Sequence, residues 1–458
     1  MPQRRFDGEP RERLGLFTDL YELTMARGYR ETGHNPTATF DLFFRELPSD
    51  RGYVVAAGLE QAVRYLDTLS FDGEELAYLE ELGFPAATLE YLDGFEFTGS
   101  VRALPEGTVA FPNEPLLEVT APIAEAQLFE TVLLNQIGFQ SLVATKAARM
   151  RDAVATFGDD QSLVEFGSRR AHGTDAGLKA ARAAYVGGFD GTSNVAAGRA
   201  YGLPVFGTMA HSWVQSFPSE RAAFEAFLDV YGERSVLLVD TYDTVNGAKT
   251  AAAVAADRDT EIAGVRLDSG DLVELSKAVA PIVGDVGVFV TSGIDEYAIR
   301  EFLTRGGVAT GFGPGTALVT SADAPSLNAV YKLVAVEEDG ECRPTTKLSP
   351  GKVTYPGRKS VRRVLRGGQF REDTLALSGE SRRGDEQLVE VFDGGDLAYS
   401  LPSLSEIRER ARDQVGKLPP TVRELRDPDA YPVRIGDGLR ATTRAVRDDL
   451  AHRYRDAG

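Results

Sequence analysis

Between Ser162 and Thr320 the chain keeps a strand–helix rhythm that few architectures accommodate. Short apolar runs at Ser162–Phe166, Pro204–Thr208, Val236–Asp240, Ile262–Leu267, Val286–Thr291 and Val308–Phe312 read as strands. Segments of helical period at Ser219–Tyr231, Val245–Arg258, Leu272–Val283 and Glu296–Arg305 fall between several of them. A helix between two strands is the crossover that lets them run parallel, so the pattern predicts a parallel α/β sheet, open or closed into a barrel.

The flanks read differently. Asp19 with Glu22 three residues on predicts a capped helix running through Leu20, Leu23 and Met25 to about Gly28. Thr39–Phe44 and Gly52–Ala56 read as strands, and helical stretches follow near Gly58–Leu69, Gly73–Leu82 and Ala86–Leu92. Pro105, Gly107, Pro112 and Pro115 punctuate a β-like region from Gly99 to Thr120. Ile123–Phe157 is expected to be a long helix bent at Gly138. β-like hairpins return from Asn328 to about Leu377, and an Arg-rich, mostly helical tail runs from Ser403 to Arg455.

Length and charge narrow the function classes. A chain of 458 residues exceeds one small core. Fifty Lys and Arg against 69 Asp and Glu give a net charge of −19, which repels nucleic-acid backbones and anionic lipid alike. Cys342 is the only cysteine, so no disulfide or Cys-based zinc site forms within one chain. No apolar run reaches the roughly 20 residues of a membrane span. Residues Met1 to Arg13 lack the apolar core of a secretory signal, so a soluble cytoplasmic protein is expected.

Unusual polar residues cluster where the expected strands end. Arg169 and Arg170 follow the first, Ser193 lies in Gly191-Thr-Ser-Asn194, and His211 follows Pro204–Thr208. Asp240 and Asp243 end the next strand, and Arg266 and Asp268 come with Val265-Arg-Leu-Asp-Ser-Gly-Asp271. Ser292 and Gly293 follow another, and the last delivers Gly311-Phe-Gly-Pro-Gly-Thr316. Parallel α/β folds build their sites at the carboxyl ends of strands, so these groups fall on one expected rim. Each has a plainer reading. Gly313, Gly315 and Thr316 form either a simple turn or an anion nest of backbone N–H groups. Arg169 and Arg170 are surface charges or phosphate ligands. Arg266 and Asp268 share one face of a strand, as a salt bridge or as site residues. A lone histidine such as His211 is more often structural, and Tyr21 by default packs a helix.

Together these segments resemble the nicotinate phosphoribosyltransferases, in the type II group shared with the nicotinamide and quinolinate enzymes. The resemblance is carried in order by Thr18-Asp-Leu-Tyr-Glu-Leu-Thr-Met25, Glu165-Phe-Gly-Ser-Arg-Arg-Ala-His172, Gly191–Asn194, Gly207-Thr-Met-Ala-His-Ser-Trp213, Val239–Asp243, Gly264–Leu272 and Gly311–Thr316. It implies an irregular, TIM-like α/β barrel over 123–327. It also implies an α+β domain from 14–122 completed by 328–400, and a helical tail over 401–458. The implied reaction joins nicotinate to phosphoribosyl pyrophosphate, giving nicotinate mononucleotide and pyrophosphate. ATP hydrolysis is coupled through a phosphohistidine at His211, magnesium accompanies the phosphates, and a homodimer shares its active sites.

Residue by residue, the resemblance implies that Phe166 stacks on the pyridine ring, with Tyr21 of the second subunit on its other face. Arg266 and Ser193 read the ring carboxylate, and Arg169 meets phosphate. Ser292, Gly293, Gly313, Gly315 and Thr316 hold the 5′-phosphate, Asp268 faces the developing ribosyl cation, and Asp240 orients His211. Nicotinamide is the competing acceptor, but relatives that take the amide carry an acid where Ser193 stands. A non-catalytic phosphosugar-binding barrel would not need His211, Asp268 and both arginines. A barrel isomerase or lyase would share the Gly-rich loop without needing Tyr21 or His211.

Overall fold

The computed structural model describes residues 14–158, 160–348 and 354–455. They form two compact units, one drawn from residues up to Leu142 and from Ser326 onward, the other from Val143–Pro325.

The second unit holds a parallel sheet of six strands, in the order Gly191–Thr192, Ser162–Glu165, Gly311–Gly313, Gly287–Thr291, Gly264–Leu267, Val236–Leu238. Leu163, Leu237, Leu238, Val265, Leu267 and Val290 are fully buried, as expected for a parallel sheet covered by helices on both faces. The strand–helix alternation is borne out, and four of the helices begin where a polar residue ends the preceding loop. Ser219, Asp243, Asp271 and Asp295 each accept a hydrogen bond from the first turn of the helix they precede.

Among the described residues the sheet does not close into a barrel. Its ends are Gly191–Thr192 and Val236–Leu238, which do not pair. Pro204–Thr208, expected to be a strand, contributes only an isolated bridge between Thr192 and Val205. Pro204 has no N–H to give a ladder, and Val205 and Phe206 are 48% and 45% exposed rather than packed into a core.

The first unit is antiparallel, and its main sheet interleaves early and late chain. Thr37–Phe43 lies between Leu117–Pro122 and Val330–Glu338, and Ser100–Ala103 pairs with Val389–Asp393. Buried charge ties the same halves together: Lys359 Nζ lies 2.6 Å from the Asp41 carboxylate, both nearly inaccessible. A second sheet contains Lys359–Arg366, Gln369–Leu377 and Val433–Ile435. The last strand belongs to the helical tail and runs parallel to Gln369–Leu377, so the tail folds within this unit.

Two local expectations are corrected. Asp19 precedes the helix Leu20–Glu31 without making a side-chain cap bond, and Glu22 is buried and turned elsewhere. Its carboxylate accepts from the Thr131 backbone N–H at 3.0 Å and hydroxyl at 2.6 Å, and from the Thr18 hydroxyl. The stretch after Pro122 breaks at Leu128–Phe129 rather than bending at Gly138: helices Ile123–Gln127 and Glu130–Ala155 leave Gly138 inside a regular helix.

Candidate active site

The strand ends of the parallel sheet surround a cavity of about 710 Å³. Its wall brings together ten of the residues singled out in the sequence: Phe166, Arg169, Ser193, Arg266, Asp268, Ser292, Gly293, Gly313, Gly315 and Thr316. Arg170 lines it as well. Asp240 and His211 do not line it but adjoin residues that do. Tyr21 lies in the other unit, 45% exposed on the helix Leu20–Glu31. Partial burial, and then a hydrogen bond to Glu130, push its phenol pKa up.

Backbone shape explains the glycines. A Cβ on Gly313 would lie 2.7 Å from both the Phe166 ring and the Thr291 methyl. One on Gly167 would meet the Val319 side chain at 2.4 Å and the Gly315 carbonyl oxygen at 2.7 Å. Only bare backbone lets these loops converge. Ser292 and Gly293 are consecutive residues with positive φ, 75° and 67°, a rare conformation for serine that exposes backbone to the cavity.

Arg266 is the most telling side chain. Its guanidinium donates to the Met209 carbonyl oxygen at 3.0 Å, while its buried Nε has no hydrogen-bond partner among the described residues. Burial lowers its pKa, with Asp268 and Asp240 opposing the shift. A cation half-buried in a cavity wall is matched to an anionic acceptor.

Asp268 is fixed by a residue the sequence did not suggest: the Thr291 hydroxyl donates to its Oδ1 at 2.5 Å. Its Oδ2 lies 3.8 Å from His211 Nε2, and His211 Nδ1 lies 3.2 Å from the Thr241 hydroxyl. Asp240 was expected to orient His211, and the structure engages it otherwise. Its Oδ2 accepts from the Asp268 backbone N–H at 2.9 Å and the Ser269 hydroxyl at 2.6 Å. Asp240 therefore shapes the 268–269 turn, and Thr241 and Asp268 face the histidine. Glu165, Asn194, Thr241 and Thr291 were all missed. The partners of Thr241 and Thr291 lie 30 and 23 residues away, and Glu165 and Asn194 stand in segments that carry the resemblance without being given a role.

Three family profiles tile the chain. The nicotinate phosphoribosyltransferase N-terminal domain matches residues 16–138, the nicotinate phosphoribosyltransferase family matches 161–364, and the corresponding C-terminal domain matches 372–443. A nicotinate phosphoribosyltransferase of Mycobacterium tuberculosis, pncB2, is 48% identical over 440 residues, covering 94% of this chain and 93% of that protein. The chain belongs to the nicotinate phosphoribosyltransferase family.

Other members of that family agree over the same span. The nicotinate phosphoribosyltransferase of Bacillus subtilis is 40% identical, with 93% of each chain covered. The crystal structure of human nicotinic acid phosphoribosyltransferase superimposes with a TM-score of 0.82 at 32% identity, covering 94% of this chain and 99% of that one. The fold shared with the human enzyme is an α/β architecture with a parallel sheet. No helix among the described residues is long and apolar enough to cross a membrane.

Proposed function

We propose that this chain transfers the phosphoribosyl group of phosphoribosyl pyrophosphate to nicotinate. The nicotinate nitrogen bonds to C1′ of the ribose as the C1′–oxygen bond to pyrophosphate breaks, giving nicotinate mononucleotide and pyrophosphate. The observation that carries this reading is Arg266, a half-buried guanidinium on the wall of the same cavity as Ser193, Phe166 and the bare backbone at Ser292–Gly293 and Gly313–Thr316. Arg266 and Ser193 bind the ring carboxylate, and Phe166 stacks on the ring. Arg169 meets phosphate, and the backbone at Ser292–Gly293 and Gly313–Thr316 holds the 5′-phosphate. Asp268 faces the cationic ribose that develops as pyrophosphate leaves. Ser193 is neutral, so the acceptor's carboxylate meets no like charge there, which favours nicotinate over nicotinamide.

Among the described residues there is no group of three or more His, Cys, Asp or Glu side chains that would cage a metal ion. Magnesium arriving with a pyrophosphate needs no cage, because phosphates and water supply most of its ligands. Asp268 is the carboxylate on the cavity wall and would be this chain's contact to the ion. The chemistry the ion would supply there is neutralisation of the charge on the departing pyrophosphate.

Product analysis tests the reaction. Purified protein with labelled nicotinate, phosphoribosyl pyrophosphate and magnesium should release pyrophosphate and form nicotinate mononucleotide, and ATP should raise the yield. Labelled nicotinamide should give little product. Conversion of nicotinamide in preference to nicotinate would overturn the assignment of the acceptor.

The ATP coupling runs through His211, whose side chain is 39% exposed and within reach of a nucleotide. With Nδ1–H donated to Thr241, Nε2 carries the lone pair that accepts a phosphoryl group. The active site is shared in a homodimer, with Tyr21 of one subunit serving the cavity of the other. Phe17, Leu20, Tyr21 and Met25 form an exposed apolar run at the start of the Leu20–Glu31 helix, a surface suited to burial against a second copy. Both ideas meet in one experiment. Tyr21→Ala and His211→Ala subunits, each defective in ATP-coupled transfer, are mixed under exchange conditions. Each mixed dimer then holds one site with native Tyr21 and native His211, so activity should recover to about half the native level per mixed dimer, or about a quarter for an equal mixture exchanged at random. No recovery, with exchange confirmed, would place both residues in the same chain's site or remove one from the mechanism.

A further inference from the structure

Glu165 ends the strand Ser162–Glu165 and is fully buried, yet it does not line the cavity. One carboxylate oxygen accepts the Gly167 backbone N–H, and Ser168 adds its backbone and hydroxyl donors. The other oxygen accepts the Thr192 hydroxyl at 2.5 Å. The Glu165 carbonyl oxygen also accepts the Ser193 backbone N–H at 2.8 Å. One residue thus grips two loops: the turn that carries Arg169 and Arg170, and the loop that carries Ser193.

The bonding continues outward. Thr192 Oγ1 accepts the Asn194 backbone N–H at 2.9 Å, and the Asn194 side chain donates to the Ser168 hydroxyl at 3.0 Å. Every group facing the Glu165 carboxylate is a donor. A carboxylate only accepts, so it satisfies all of them; an amide of the same shape presents two hydrogens and cannot. Mere burial would have been met by an apolar side chain, so the choice of an acid here has another cause.

We propose that Glu165 is a positioning residue that sets the separation between the Ser193 wall and the Arg169 wall of the cavity, and so governs productive binding of the acceptor. The inference rests on the reading of this cavity as the nicotinate and phosphoribosyl pyrophosphate site. Glu165 touches no substrate and acts through Thr192 and the 167–168 turn. The 167–168 turn leads to Arg169, which meets phosphate, so the KM for phosphoribosyl pyrophosphate responds along with the nicotinate KM, while the backbone at Ser292–Gly293 lies outside its grip.

The test is steady-state kinetics on folded Glu165→Gln, Thr192→Val and Thr192→Ser, with both substrates varied. Glu165→Gln should lower kcat/KM for nicotinate on the order of tenfold or more, chiefly through KM, because it replaces an acceptor of several donors by a mixed group. Thr192→Val keeps the shape and removes the hydroxyl, and should act in the same direction. Thr192→Ser restores the hydroxyl and should return the parental value. In Glu165→Gln/Thr192→Val the losses should not add, since both act on one contact. Folded variants within about twofold of the parent in nicotinate kcat/KM, well below the effect expected for charged hydrogen bonds, would overturn the proposal. So would failure of both Glu165→Gln and Thr192→Val to fold, which would assign the network to folding alone. A parent protein without transfer activity would instead fail the reading of the site.

Discussion

Asp268→Asn lowers kcat for phosphoribosyl transfer by about a hundredfold or more, while the nicotinate KM changes far less. The effect is electrostatic. As the bond to pyrophosphate lengthens, positive charge spreads over the ribose ring, and a carboxylate already fixed in a partly desolvated wall stabilises it without reorganising. Thr291 supplies that fixity by donating to Oδ1, and Asp240 holds the turn by accepting the Asp268 backbone N–H. Asn preserves the shape and one acceptor oxygen but removes the charge. If the main role of Asp268 were instead to help hold magnesium, raising the magnesium concentration would recover much of the lost rate. The expectation is that it does not. Single-turnover measurement separates the chemical step from product release. A chemical rate within about threefold of the parent would show that this carboxylate is not needed there, since a preorganised charge is worth far more than that.

The residues behind this prediction differ in how far the sequence revealed them. Arg266, Asp268, Ser193 and the Gly311–Thr316 loop were legible because strand ends in a parallel sheet project side chains onto one rim, and a two-residue period puts Arg266 and Asp268 on the same face. The helix Leu272–Val283 was legible to the residue, because Asp271 caps it and Gly284, at φ 70°, ends it. Where the same local logic failed, a distant partner had won. Glu22 has the spacing of a capping box but bonds to Thr131 instead. Asp240 sits where a histidine's orienting acid was expected and serves the 268–269 turn. Glu165 lay inside the expected strand Ser162–Phe166 with no role of its own, and only the fold shows four donors converging on it. The barrel was over-read for a similar reason. Periodicity tells strand from helix but not whether the last edge finds the first, and the exposed Val205 and Phe206 leave that closure unmade.

Arg363→Met destabilises the first unit by about 3–5 kcal/mol at neutral pH, because it removes one partner of a buried pair and strands the other. Arg363 is 2% exposed and bonds to Asp373 with two nitrogens, the shortest contact being 2.6 Å. It also donates to the Val109 carbonyl oxygen at 2.9 Å and to Gln414 at 3.0 Å, joining residues from three distant parts of the chain. Its guanidinium lies 5.4 Å and 4.9 Å from the centroids of the Phe111 and Phe370 rings. Methionine fills much of the same volume and suits those aromatic faces, so the substitution isolates the charge from the packing. Asp373 is left with the Tyr431 hydroxyl at 2.9 Å and with Glu114. Burial, and then the charge of Asp373, hold Glu114 well above the usual carboxyl range, while Arg363 opposes that shift. That raised pKa sets the sign of the pH effect of Glu114. Its contribution to stability is full below its ordinary value of 4.5 and is lost as pH rises through the folded value. Glu114→Gln keeps the shape without the titrating carboxyl and should remove that loss on raising pH. Urea unfolding at fixed protein concentration, followed across pH, measures both variants. Arg363→Met within about 1 kcal/mol of the parent would show that Asp373 finds adequate partners without the cation, and that this buried pair does little to hold early and late chain together.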